Sequence, residues 1–169
     1  MSQKEKRIPT LVPLDAPFID ARGMIQNILH EPRGSTVIIT TEANTVRANH
    51  RHKNDDHYCM CLSGMVEYYE RQIGSKLTPK CRIFRPYQLF YTPAMVDHAM
   101  RFPVKTVLLV LGNRHRSPED YEKDLIRLDH PWIEPRTEYE LHDYVPPVDE
   151  VLLQAASGSV GGPVPGVEE

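Results

Sequence analysis

Residues 46–64 read Val46-Arg47-Ala48-Asn49-His50-Arg51-His52-Lys53-Asn54-Asp55-Asp56-His57-Tyr58-Cys59-Met60-Cys61-Leu62-Ser63-Gly64. His50 and His52 are two apart, so on an extended strand both imidazoles leave the same face. The polar turn Lys53-Asn54-Asp55-Asp56 then brings the chain back, and His57 opens the next strand aimed at the same point. The alternating run Tyr58 to Leu62 is a strand. Ser63-Gly64 before the β-rich Met65-Val66-Glu67-Tyr68-Tyr69 is a hairpin turn in which Gly64 supplies positive φ. Further on, Leu89 to Thr92, Pro93 and a polar turn precede His98, which opens the apolar stretch Ala99-Met100-Arg101-Phe102. A fourth imidazole from a neighbouring strand closes the set.

Imidazole nitrogens suit Zn, Cu, Fe and Ni, and a site left partly open by the protein accepts water or substrate. A lone histidine is more often a solvated or hydrogen-bonded side chain than a ligand, but four in register reverse that expectation. The chain is therefore expected to hold one divalent transition metal (Fe, Zn, Mn or Ni) through His50, His52, His57 and His98. His30, His115, His130 and His142 have no partner at ligand spacing and read as surface groups.

Strand patterns recur at 24–29, 35–41, 46–52, 57–62, 65–71, 81–85, 88–92, 98–102 and 105–111, with turn chemistry at most breaks. Many short strands at this spacing predict an all-β sandwich or barrel of jelly-roll type. Ser117-Pro118-Glu119-Asp120 is a helix start, with a serine cap, proline at the first position and acids in the first turn. It predicts a short C-terminal helix over 118–128 with Tyr121, Leu125 and Leu128 on one face. The expected organisation is an arm over 1–15, a barrel over 16–130, an extended segment over 131–156 packed on the barrel or a partner, and a disordered tail over 157–169.

The histidine motifs resemble those of the cupin superfamily. Its first motif, G-x5-H-x-H-x3,4-E-x6-G, is matched in spacing by His50-x-His52-x4-His57-x6-Gly64, and its second by Pro93-x-Met95-x2-His98. The resemblance covers roughly residues 15–115 and implies a cupin-type jelly-roll barrel. The chain departs from the motifs where His57 fills the glutamate slot, Met95 the glycine slot and Phe102 the asparagine slot. Four neutral imidazoles would leave a metal its full double charge, favouring an anionic ligand or a developing enolate. Asp20-Ala21-Arg22-Gly23 and Arg47-Ala48-Asn49-His50-Arg51-His52-Lys53 are also similar to segments of cupin-type sugar-nucleotide epimerases and 3,4-ketoisomerases, with Ala48 standing where that family has glycine. That likeness implies proton transfer by His50 and His52 and places Arg47 near a phosphate, in enzymes that generally work without a metal.

At 169 residues with three cysteines, the chain is long enough to bury a core without disulfides, and an odd cysteine count fits a reducing cytoplasm. The net charge of −3 gives no field for nucleic acid, and no apolar run reaches membrane-spanning length. Acidic residues crowd the segment 131–169, which leaves the barrel mildly basic and suited to a small anion. Tyr68 and Tyr91 are candidate catalytic groups, and Arg47 is a candidate substrate contact if a bulge turns it inward. Arg101 should point outward. Asp55 and Asp56 are candidates to hold the outer ring nitrogens of the histidines. The predicted function is isomerisation or epimerisation of a small, oxygen-rich, sugar-like anion by metal-polarised proton transfer beside a carbonyl. A non-haem Fe(II) dioxygenase and a non-catalytic ligand-binding cupin are the rivals, and a homodimer is the expected assembly.

Overall fold

The computed structural model describes residues 11–135. The expectations for the first ten residues, for most of the 131–156 segment and for the 157–169 tail fall outside them. The strands are β1 (Leu11–Val12), β2 (Phe18–Asp20), β3 (Gly23–Ile25), β4 (Ser35–Thr41), β5 (Thr45–His52), β6 (His57–Ser63) and β7 (Val66–Arg71). They continue with β8 (Lys80–Phe84), β9 (Leu89–Thr92), β10 (Asp97–Phe102) and β11 (Thr106–Gly112), followed by α1 (Pro118–Asp124) and β12 (Leu125–Arg127). Two five-stranded sheets, ordered β1-β9-β6-β11-β4 and β12-β5-β10-β7-β8, face each other, and β2-β3 forms a separate hairpin. Every pairing is antiparallel. From β4 to β7 and again from β8 to β11 the chain alternates between the sheets, giving the all-β jelly-roll architecture that the strand pattern predicts. The sheets are packed face to face and are not joined edge to edge into a closed barrel.

Strand alternation divides the interior into two ends. Along β10 the inward positions run from His98 through Met100 to Phe102, and along β6 from His57 through Cys59 to Cys61. The far end is an apolar core in which Tyr68, Phe84, Phe90, Phe102 and Leu108 pack together. The near end carries the histidines. Gly64 closes the β6–β7 turn at φ +88, where a Cβ would stand 2.4 Å from Thr106 Oγ1 and 2.5 Å from Lys105 O. Both the backbone angle and the close approach require glycine there.

Three expectations are corrected. The arm is not wholly an arm, because Leu11–Val12 pairs with Phe90 and Leu89 on the edge of a sheet. The strand expected over 24–29 is only Gly23–Ile25, paired with Phe18–Asp20 around a turn in which Asp20 accepts from Arg22 N at 2.8 Å. The helix ends at Asp124 rather than at 128. Leu125 turns extended (φ −77, ψ 141) because the chain gains a ladder on the edge strand β5, pairing Leu125 with His52 and Arg127 with His50. Cross-sheet hydrogen bonding outweighs one more helical turn of leucine periodicity.

The two positions where the resembled motifs carry glycine keep a glycine-like backbone. Ala48 has φ 67 and Met95 has φ 59. Met95 is 50% exposed, and its N–H donates to His52 O at 2.9 Å, so the turn is held from outside the residue. A left-handed L-residue costs about 1–2 kcal/mol, while glycine returns about 0.4–1 kcal/mol through unfolded-chain entropy. Met95→Gly should therefore stabilise the protein by about 0.5–1 kcal/mol in urea unfolding; a lower midpoint would refute this. Ala48→Gly should be near neutral, because Ala48 packs against the core and its methyl contributes about 0.8 kcal/mol.

Candidate active site

The pairing register brings the histidines together. His98 on β10 lies opposite His50 on β5, and cross-strand partners share a face. His52 is two residues further along β5 on the same side. The ligand nitrogens of His50, His52 and His98 all lie within 4.8 Å of one another. His57 comes from the opposing sheet, with its ring 5.2 Å from His52 and 6.0 Å from His98, and it is not part of that close group. The expected set of four thus resolves into three clustered imidazoles and one standing across the gap.

Burial sets their chemistry. Desolvation carries His50 down to about 2 and His98 down to about 4, and mutual repulsion among the histidines adds to both shifts. His57 and His52 are lowered as well, chiefly by burial, although Asp124 opposes the shift at His52. All four are neutral near pH 7. His98 Nδ1 donates to Val96 O at 3.1 Å, which leaves Nε2 as the lone-pair nitrogen, and that Nε2 is buried without a hydrogen-bond partner. His57 Nδ1 is likewise unpaired.

Asp124, at the end of α1, holds His52. Its Oδ2 lies 3.1 Å from His52 Nδ1 and accepts from Asp55 N at 3.1 Å, while Oδ1 accepts from Asn54 N at 2.9 Å. These donors keep its carboxyl below the usual range against the opposing effect of burial. Asp55 and Asp56 do not serve the histidines as expected. Asp55 accepts from Arg114 N at 3.0 Å, and Asp56 takes Arg33 at 2.8 Å, so both anchor the neighbouring loops.

Tyr68 is fully buried, and its ring stacks on His98 at 5.9 Å and 13°. Its hydroxyl has no partner at hydrogen-bonding geometry, and neither has that of nearby Thr92; burial pushes the Tyr68 phenol well up. Tyr91 is not in this group. It pairs with Tyr58 on the adjacent strand, ring to ring at 4.9 Å, and alternates with the buried Phe90 and Thr92, so it faces away from the interior. Arg47 lies at a bulge. Ala48 and Asn49 both have positive φ, and the register slips there so that Met100 pairs with Arg47. Its side chain is exposed and reaches the end of β4, where Nε donates to Thr41 Oγ1 at 2.5 Å and an outer nitrogen to Thr40 O at 3.2 Å. Arg101 points to the outer face, but it is buried there, bound to Glu67 at 2.5 Å and to Tyr69.

Sequence reasoning passed over four groups. Glu70 lies opposite His98 in the ladder, is 5% exposed and has an unpaired Oε2; burial raises its carboxyl. Counting by twos from Tyr68 finds it. Asp124 was within the predicted helix, but nothing local marks it as a histidine partner. Tyr121 stands 6.4 Å from His50 and 5.8 Å from His52, ring to ring, and the Arg116 guanidinium lies over Tyr121 at 4.3 Å. Cys59 and Cys61 are inward and buried in the apolar core, and burial pushes their thiols up to about 12. Among the described residues no helix is long and apolar enough to cross a membrane.

Residues 20–130 match the family profile described as "FdtA: WxcM-like, C-terminal". Several solved structures share the fold. A double mutant of the 3,4-ketoisomerase QdtA from Thermoanaerobacterium thermosaccharolyticum, in complex with TDP, is 24% identical, with a TM-score of 0.58 over 71% of this chain and 87% of that one. The TDP-quinovose 3,4-ketoisomerase WlaRB from Campylobacter jejuni is 18% identical, with a TM-score of 0.60 over 71% and 92% of the two chains. A dTDP-4-dehydrorhamnose 3,5-epimerase from Sulfolobus tokodaii is 11% identical, with a TM-score of 0.56 over 70% and 76%. No curated protein sequence matches.

Proposed function

The chain belongs to the WxcM-like, C-terminal family, and from that membership and its histidine cluster we propose that it isomerises a nucleotide-linked keto sugar by proton transfer between adjacent carbons. The observation that carries the reading is the His52–Asp124 pair at 3.1 Å. Asp124 holds the Nδ1 proton, which leaves His52 Nε2 as the base and supports the imidazolium that forms when it takes the proton. The proton leaves the carbon beside the carbonyl while the carbonyl oxygen is protonated, giving an enediol. The second oxygen then returns its proton as the first carbonyl carbon is reprotonated, so the ketone moves by one carbon with no net oxidation.

Tyr68 suits the oxygen proton, since its raised phenol stays protonated, its ring stacks on His98 and its hydroxyl has only the neighbouring Thr92 hydroxyl near it. Arg47, an exposed cation whose backbone lies three residues before His50 on the same strand, suits the anionic part of the substrate. Several of the neighbours are named as sugar 3,4-ketoisomerases, one of them crystallised with TDP-4-keto-6-deoxyglucose. That compound is the substrate to try. Incubated with it in D2O, the protein should place deuterium on the sugar at one or both carbons flanking the exchange. No incorporation from any nucleotide-linked 4-keto sugar would sink the reading.

A second reading keeps the metal, supported by the three clustered imidazoles and the unpaired His98 Nε2. A tetrahedral ion bound at about 2.1 Å holds its nitrogens about 3.4 Å apart, so a pair at the 4.8 Å limit has to close by roughly 1.4 Å. His50, His52 and His98 would hold it, and a bound Fe, Zn, Mn or Ni dication would polarise a substrate oxygen. Purified protein should then carry about one ion per chain by elemental analysis, and His50→Ala and His98→Ala should each lose most of it. Equal metal content in parent and variants would end this reading.

A further inference from the structure

The loop between β11 and α1 delivers one cation to the histidine cluster and is built to hold it there. Asn113 N donates to Asp56 O at 2.9 Å and Arg114 N to Asp55 Oδ1 at 3.0 Å, which ties the loop to the turn that joins His52 to His57. Ser117 then caps α1 through Asp120 N at 3.1 Å. Between these anchors Arg116 is partly buried, with its guanidinium stacked over Tyr121 at 4.3 Å. Tyr121 in turn stands against His50 and His52.

Arg116 makes no ion pair or hydrogen bond among the described residues, and the nearest acids are spent elsewhere. Asp55 is committed to Arg114 N, Asp120 to Ser117 and His115, and Asp124 to His52. The Tyr121 ring that carries the guanidinium stands 6.4 Å from His50 and 5.8 Å from His52, and the Arg116 charge helps to lower His50, His52 and His57. A fixed guanidinium without a carboxylate, above imidazoles that burial keeps neutral, is an electrostatic arrangement awaiting a negative charge.

We propose that Arg116, held on the Tyr121 ring, is a catalytic residue that compensates the negative charge developing on the keto sugar's carbonyl oxygen as the neighbouring carbon loses its proton. The assignment rests on the isomerase reading above. In that step the C–H electron pair becomes the C=C bond, the former C=O pair moves onto oxygen, where negative charge builds until the Tyr68 proton reaches it and gives the enediol, and the C–H proton goes to His52. Arg116 neither gains nor loses a proton. Because the charge exists only after proton removal, the interaction strengthens in the transition state and raises kcat rather than ground-state affinity.

The test uses Arg116→Met, which keeps the apolar stem over Tyr121, and Arg116→Lys, which keeps the charge. Rates of deuterium uptake into TDP-4-keto-6-deoxyglucose are read against the dissociation constant of TDP, which lacks the reacting carbonyl. Arg116→Met should lower kcat by roughly 10²–10³ with TDP affinity within about twofold of the parent. Arg116→Lys should recover at least about tenfold of that loss and, being charged and similar in length, serves as the reading if the Met variant fails to fold. Parent-like kcat in the Met variant overturns the assignment. So does a loss of TDP affinity at constant kcat, which would put Arg116 on the diphosphate. If the parent itself is inert on every keto sugar tried, the isomerase reading falls and takes this assignment with it; an active parent with an indifferent Arg116→Met removes the assignment alone.

Discussion

Asp124→Asn is expected to lower the rate of deuterium uptake by roughly 10³–10⁴ while leaving the fold in place. The carboxylate accepts at both oxygens, His52 Nδ1 and Asp55 N at Oδ2, and the backbone and side chain of Asn54 at Oδ1. Asparagine has one accepting end and one donating end. If the amide nitrogen takes the Oδ2 position it faces His52 as a donor, which forces the Nδ1 lone-pair tautomer and leaves Nε2 carrying the proton that a base must not have. If it takes the Oδ1 position it confronts two Asn54 donors, which are exposed and turn to water at little cost. Thermal unfolding of the variant separates a loss of base from a loss of fold. His52→Gln should match the rate loss without disturbing the Asn54 contacts. An Asp124→Asn protein that exchanges at the parent rate would show that Asp124 only staples α1 to the β5–β6 turn.

What the sequence made legible was whatever the two-residue period of a strand controls. His50 and His52 share a face, the two cysteines point inward, and Arg101 points out, all by parity alone. Arg47 broke the register expected of a regular strand, and the bulge behind that shift is written as Ala48 and Asn49 at positive φ, a conformation that neither residue advertises as glycine would. Tyr91 failed for a related reason: without the register of β9 on β6 its facing was open, and pairing with Tyr58 rather than with an inward residue turned it out. His57 was placed on the right strand end, but the distance between opposing sheets, which local spacing does not encode, keeps it out of the close triad. The helix signal at Ser117 was sound, yet what makes the segment functional is where it lands. Asp124, Tyr121 and Arg116 reach the histidines only because β12 docks on β5, a long-range pairing with no local signature.

Lowering the pH should destabilise this protein from about 6.5 downward, well before its carboxylates titrate in bulk. His98 titrates near 4 and His50 near 2 in the folded chain, against about 6.5 when unfolded. Between those values the unfolded chain binds more protons than the native one, so stability rises with pH across the window and falls as acid is added. The contribution is fully present above about 6.5. Each histidine then loses up to about 1.4 kcal/mol per pH unit, so from pH 7.5 to 5 the pair removes about 4 kcal/mol, and His57 and His52 shift in the same direction. Glu70 and Asp55 pull the other way, because burial raises their carboxyls and the folded chain takes their protons first. Their opposition subtracts from the histidine contribution, and four lowered histidines outnumber the two raised carboxyls. Against a typical domain stability of about 5–15 kcal/mol, 4 kcal/mol moves an unfolding midpoint visibly. Urea titrations at pH 7.5, 6 and 5 should show the free energy of unfolding level at first and then dropping by several kcal/mol. Equal stability at pH 7.5 and 5 would mean that the imidazoles are solvated enough to protonate in place, and the neutral base assigned to His52 would lose its physical footing.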